Sequence, residues 1–196
     1  MNEAMNTATG IIRSEHRTLA AVIHGFKAVV EQVRDGRTDA NFRLLWAMLY
    51  YIEAYPEKLH HPKEDDYLFA AVRARTSEAA TLLAELEREH RECEARLNGL
   101  RIALGHYEAG VAGGLATLAA AADHYATFYW EHMTQEEDKL LPLAQAHLTD
   151  ADWSTIAEKF AANNDPLLGH ESADDFWKLL RRIVSMAPAP IGLGSA

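Results

Sequence analysis

The chain has little cysteine, few basic residues and no long apolar run, and each shortage excludes a class of protein. Its only cysteine is Cys93, so no disulfide can form within the chain, and we expect a reducing compartment, the cytoplasm. No apolar run reaches the roughly 18 residues of a membrane-spanning helix. The 19 Lys and Arg are outnumbered by 29 Asp and Glu, which gives a net charge of -10. This charge argues against nucleic acid and anionic membranes as partners, because both attract basic surfaces.

The chain instead has apolar residues spaced three and four apart almost throughout, which is the pattern of amphipathic helices. No segment alternates in the way that a strand does. The short connections favour an all-α fold, an antiparallel up-down-up-down four-helix bundle with two shorter C-terminal helices. The predicted helices cover residues 11 to 34, 42 to 72, 77 to 109, 115 to 146, 149 to 162 and 171 to 186.

The same pattern divides the chain into one bundle domain and its extensions. The bundle is expected over residues 11 to 162. Residues 163 to 187 are expected to carry an amphipathic helix that packs on the bundle or on a partner. Residues 1 to 10 and 188 to 196 are expected to be flexible tails.

A pattern of histidine and acidic residues occurs twice, once in each predicted pair of helices. In the first half, His16 is followed after a long gap by His60-x-x-x-Glu64, and the second half repeats this with a gap of nearly the same length. The i,i+4 spacing puts each His and Glu on one face of a helix. In a bundle the four histidines and two carboxylates can converge, as a two-metal site requires. The candidate metal ligands are His16, His60, Glu64, His90, His132 and Glu136.

The donor types and the register of the first motif leave alternatives open. Imidazole and carboxylate ligands without thiolate suit iron, manganese and also zinc. His61 and Asp65 form a second i,i+4 pair, but alignment of the two motifs pairs His60 with His132 and so favours His60 and Glu64. The competing interpretation is a structural bundle whose histidines are buried for packing.

The order H…HxxxE…H…HxxxE, with HHPKEDDYLF and HMTQEEDKLLP, resembles the hemerythrin-like HHE cation-binding domains over about residues 11 to 162. The resemblance implies a four-helix bundle around a centre of two non-haem iron ions. The six candidates would be its ligands, with both glutamates bridging. Oxygen-carrying members have a fifth histidine one turn after the third-helix histidine, and Glu94 stands there in this chain. Glu94, a water molecule or His61 fills that position, and a more symmetric, carboxylate-rich centre puts reversible oxygen carriage in question.

The resemblance implies a metal-binding protein that binds O2, NO or peroxide, or that handles iron. We expect a binding protein more than an enzyme. A catalase-like or oxidase di-iron enzyme is one alternative. A metal-dependent sensor or regulatory interaction protein, with residues 171 to 186 as its output element, is another. Association into a homodimer stays open.

Overall fold

The computed structural model describes residues 3 to 162 and 181 to 187. The described residues are almost entirely helical and contain no strand, so the predicted all-α class is confirmed. The segments are α1 (Glu3–Arg34), α2 (Phe42–Ile52), the π-helical segment π1 (Glu53–His60), α3 (His61–Lys63), π2 (Glu64–Phe69), α4 (Ala70–Arg75), α5 (Ala80–Glu108), α6 (Gly114–Gln135), π3 (Glu136–Leu140), α7 (Leu141–His147) and α8 (Asp150–Ala161).

The first helix begins earlier than its apolar spacing predicts. It starts at Glu3, so the expectation of a flexible tail over residues 1 to 10 is wrong for residues 3 to 10. The reason is tertiary packing: Ala8 is fully buried and α1 packs along α8. The Thr9 hydroxyl donates to the Met5 carbonyl at 2.8 Å and so joins the helix rather than opposing it. Small residues without an apolar stripe gave no sign of this contact.

Caps and glycines set the ends of the helices. The Asn41 side chain accepts from the Leu44 amide at 3.1 Å and caps α2. Gly113 adopts φ of 74° before α6. A Cβ on Gly114 would lie 2.9 Å from the Tyr107 Cα, so only glycine lets the end of α5 and the start of α6 approach this closely.

Three π-helical segments interrupt the second and fourth long helices. Both glutamates of the repeated pattern open such a segment, Glu64 in π2 and Glu136 in π3. Pro62 and Pro142 lie in the short α-helices beside them, α3 and α7. A wider π turn changes the direction of the side chains that follow it, and such turns are frequent at functional sites.

The apolar interior consists of two clusters rather than one. The first cluster contains Phe26, Leu49, Leu97 and Tyr129 among others, and lies mainly between α1, α2, α5 and α6. The second contains Phe69, Leu83 and the buried face of α8. Each long helix contributes to both clusters, and its buried polar residues lie between those contributions.

Part of the C-terminal prediction lies outside the described residues. Residues 181 to 186 are helical, and Ile183 and Ala187 pack in the first cluster. The rest of the predicted helix over 171 to 186, and the tail over 188 to 196, fall where the structure is not described. Within the described ranges, no helix combines the length and apolar character needed to cross a membrane.

Candidate metal centre

A belt of ionisable side chains crosses the interior between the two apolar clusters. All of its members are buried, and three of them, Glu64, His132 and Glu136, have at most 1% of their surface exposed. Buried charge is costly unless it is paired, so such a belt needs compensating partners. It consists of Glu15, His16, His60, His61, Glu64, Glu89, His90, His132 and Glu136. The structure therefore brings all six predicted ligands into one layer.

Within this belt the histidines meet in two matched pairs. His16 Nε2 lies 3.0 Å from His60 Nε2, and His90 Nε2 lies 3.1 Å from His132 Nε2. The ring centroids are 4.9 Å apart in both pairs. Two imidazole nitrogens bound at right angles to one metal, each at about 2.1 Å, are separated by roughly 3.0 Å. The spacing in each pair fits two ligands of a single ion.

The outer nitrogens of two histidines are held by buried glutamates. His60 Nδ1 donates to Glu15 at 2.7 Å, and His132 Nδ1 donates to Glu89 at 2.8 Å. Burial alone raises the pKa of Glu15, but the hydrogen bond and charge of His60 outweigh it, and the pKa is lowered. An ionised carboxylate can only accept, so the ring proton stays on Nδ1.

The other two histidines are held by acids closer to the surface. His16 Nδ1 donates to Glu137 and His90 Nδ1 donates to Asp65, both at 2.9 Å. The hydrogen bond from His16 is the main reason that the pKa of Glu137 is lowered. Arg13 adds a positive charge 3.6 Å from the same carboxylate. All four outer nitrogens therefore carry their proton, which directs the four Nε2 lone pairs inward.

Opposed lone pairs 3.0 Å apart require a cation between them. The pKa values of the histidines show that the surrounding carboxylates favour positive charge here. Burial lowers the pKa of His132, but the surrounding carboxylates, Glu136 foremost, outweigh it and raise the pKa to about 10. The same balance, with Asp65 the largest raising contact, brings the pKa of His90 to about 9. A metal ion in place of the protons would satisfy the same lone pairs.

Glu64 reaches both histidine pairs. Its Oε1 lies 3.3 Å from His60 Nε2 and 3.7 Å from His16 Nε2, while its Oε2 lies 3.6 Å from His90 Nε2. Among the described residues, neither oxygen has a partner in hydrogen-bonding geometry. A fully buried carboxylate whose two oxygens both lack a hydrogen-bonding partner is suited to bridge two cations.

Glu136 repeats this arrangement from the other half of the chain. Its Oε1 lies 3.3 Å from His132 Nε2 and 3.6 Å from His90 Nε2, and its Oε2 lies 3.4 Å from His16 Nε2. Its oxygens also have no hydrogen-bonding partner in the described part of the chain. Burial raises the pKa of Glu136, but the charges and contacts of the histidines, His132 first, outweigh it and hold the pKa well below its usual range.

His61 joins the second pair, whereas Glu94 does not. The His61 ring stacks on His90 with centroids 4.0 Å apart, and its centroid is 5.7 Å from that of His132. Burial and the charges of His90 and His132 lower the pKa of His61 well below its ordinary value, which leaves a neutral imidazole. Glu94 is exposed on α5, because Cys93 and Leu97 fill the interior on either side of it.

Two groups of possible ligand atoms result, each with its atoms within 4.8 Å of one another. One group has three imidazoles and the other has two, and Glu64 belongs to both. The groups are His61, Glu64, His90 and His132, and separately His16, His60 and Glu64.

Sequence reasoning overlooked the roles of Glu15 and Glu89. Each stands directly before a lone histidine, yet it holds the histidine of a different helix. Asp65 and Glu137, which hold His90 and His16, each directly follow a glutamate of the repeated pattern. The repetition of an acid at the same place in both halves was the available signal.

The chain belongs to the hemerythrin family. The family model of the hemerythrin HHE cation-binding domain matches residues 7 to 144, well over half of the chain. Comparison with curated proteins gave no match. The protein is thus a hemerythrin-like cation-binding domain with buried histidine and glutamate groups that can hold metal.

Proposed function

We propose that the belt holds two iron ions. The first iron is bound by His16 and His60, and the second by three imidazoles. The observation that carries the proposal is the pair of opposed imidazole couples, spaced at 3.0 and 3.1 Å and spanned by two carboxylates without hydrogen bonds. The proposed ligands are His16, His60, His61, Glu64, His90, His132 and Glu136.

We further propose that the centre binds O2, NO or peroxide. Iron accepts about six ligands, and the group with two imidazoles offers fewer protein ligands than the group with three. With His61 as the fifth histidine, one iron has more imidazole ligands than the other. Reversible oxygen binding needs this asymmetry, so it is possible even though Glu94 stands at the usual position of the fifth histidine. Iron supplies the redox chemistry or reversible ligation, while the apolar clusters on both sides exclude bulk water and large organic substrates.

The antiparallel up-down-up-down topology is part of the same proposal. Along α1 the chain passes from the second apolar cluster, at Ile12, to the first, at Phe26. From α2 to α4 it returns to the second cluster at Phe69. The chain then runs from the second cluster to the first along α5 and back to the second from α6 to α7. This alternation supports alternating helix directions. Cytoplasmic location and association into a homodimer stay predictions.

The test is elemental analysis of protein purified without chelators, followed by titration with NO, O2 and peroxide. About two irons per chain and saturable binding of one of these ligands are expected. No stoichiometric metal after anaerobic loading with Fe(II) would contradict the proposal. Sustained release of O2 from peroxide would instead favour the catalase-like alternative.

A further inference from the structure

The contacts of the four paired histidines with one another and with their acidic partners match between the two halves of the belt, but the residue next to the first ligand of each motif differs. Alignment of the repeated motifs pairs His60 with His132, Glu64 with Glu136, and therefore His61 with Met133. His61 is buried against the second histidine pair, and Met133, with 7% of its surface exposed, is buried at the corresponding place. An imidazole that completes one group is thus replaced by a thioether in the other.

A cavity lies on the side of the belt where this exception occurs. It has a volume of about 320 Å³ between α1 and α6 and is lined by His16 and Met133 together. Ala20, one turn after His16, also lines it, whereas Glu94 stands at the matching position of the other half. At the surface the cavity is bounded by Trp130, of which 58% is exposed.

The charges around the cavity favour a neutral ligand over an anion. Glu137 and Asp138 contribute two acids to the lining, and Arg17 contributes one base. An anion would meet a net negative rim, while O2, NO or hydrogen peroxide would not be repelled.

We propose that this cavity is the path by which a small neutral ligand reaches the first iron, and that Met133 keeps that iron open to it. The inference rests on the proposed di-iron centre. A thioether is a poor ligand for iron among imidazoles and carboxylates, so Met133 fills the space without closing the coordination sphere. A histidine at position 133 would add an imidazole ligand to the first iron, as His61 adds one to the second.

The experiment uses the full-length, iron-loaded protein and NO as the probe. Iron content and melting temperature are measured first, and NO binding is then followed by stopped-flow absorption and by electron paramagnetic resonance. Met133→His is expected to retain its iron and to weaken NO binding by roughly tenfold or more, because the added imidazole competes for the same position.

A second variant tests the path even if Met133→His does not fold. Ala20→Leu narrows the cavity without replacing a residue of the belt, and it is expected to slow NO association several-fold while changing the equilibrium affinity much less. Glu94→Leu, at the matching exposed position of α5, is the control and is expected to bind NO as the parent does.

Unchanged NO affinity in fully loaded Met133→His would overturn the inference. An association rate of Ala20→Leu equal to that of the Glu94→Leu control would overturn it as well, as would a fully loaded parent that binds no NO. Failure of the parent to hold iron is a different result, seen by elemental analysis before NO is added, and it overturns the proposed function itself.

Discussion

At the scale of single residues, the outer nitrogen of each paired histidine decides what its inner nitrogen can do. His132 is the clearest example, since Glu89 holds its Nδ1 proton and the Nε2 lone pair must then face the centre of the belt. Partners of this kind fix the ring and raise its basicity toward a metal. The negative charge of these acidic partners also offsets the positive charge of the proposed metal ions.

Glu89→Gln is expected to weaken iron binding by roughly tenfold or more, because the amide keeps the shape but loses the charge. The measurement is competitive titration of the metal-free protein with Fe(II) and a chelator of known affinity. Glu92→Gln is the matched control on the same helix, since among the described residues Glu92 pairs with Arg88 and Arg96, at the surface. Equal affinities for the two variants would contradict the role given to Glu89.

His61→Ala and Glu94→Ala together show which residue takes the place of the fifth histidine. His61 stacks on His90 inside the belt, so its loss is expected to weaken binding of the second iron by roughly tenfold or more. Glu94 is exposed, so its loss is expected to leave iron content and absorption spectrum unchanged. The comparison is made by iron analysis and spectroscopy, and a spectral change confined to Glu94→Ala would reverse the assignment.

The sequence predicted the belt better than it predicted its details. The i,i+4 spacing of His60 with Glu64 and of His132 with Glu136 is a local helical property, so a single sequence suffices to find it. The role proposed for His61 depends on the direction of its side chain. That direction is not a local property of the sequence, because π1 ends at His60 and its wider turns change where the next side chain lies. The contact of Glu15 with His60 joins two helices, and no local pattern specifies such a contact.

At the scale of the helices, α8 closes the second apolar cluster and is held at its start by a capping box. The Thr149 side chain accepts from the Asp152 amide, and the Asp152 carboxylate accepts from the Thr149 amide at 2.8 Å. Arg75 donates to the same carboxylate at 2.9 and 3.0 Å, which ties the end of α4 to α8.

Asp152→Asn is expected to destabilise the protein at neutral pH and to destabilise it less at acidic pH. Arg75 first, and then the contacts with Thr149, hold the pKa of Asp152 well below its ordinary value. A lowered pKa in the folded state gives stability that is fully present above the unfolded pKa of about 4 and is lost progressively as the pH falls from there toward the folded pKa.

The check is chemical denaturation of parent and variant between about pH 7 and pH 3. The difference in free energy of unfolding should shrink as the pH falls. Thr149→Ala serves as a comparison, because loss of a cap costs about 1 kcal/mol without removing a charge. A gap for Asp152→Asn that does not change with pH would contradict the explanation.

At the scale of the whole molecule, the two apolar clusters enclose a charged layer that the metal would complete. Each cluster is formed by several helices, and its members are apolar residues outside the belt. The metal-free protein is therefore expected to stay folded with lower stability, since a ligand of the folded state adds to its free energy of unfolding.

Removal of iron is expected to lower the melting temperature by roughly 5–10 °C. Binding at a hundred times the dissociation constant contributes about 2.7 kcal/mol, and each kcal/mol shifts the midpoint by roughly 2–4 °C at this size. The measurement is calorimetry with and without a chelator. His132→Ala should lose most of this response, whereas His24→Ala, an exposed position on α1, should keep it.

The reciprocal contacts across the belt have a consequence for how such a centre can arise. Asp65 of the first helix pair holds His90 of the second, and Glu137 of the second pair holds His16 of the first. Each pair thus supplies what the other needs, as the two identical partners of a symmetric dimer do. Two copies of one ancestral helical hairpin, associated face to face, would already enclose a pair of metals. Fusion of the copies would then allow the two sides to become different, as they are at His61 and Met133.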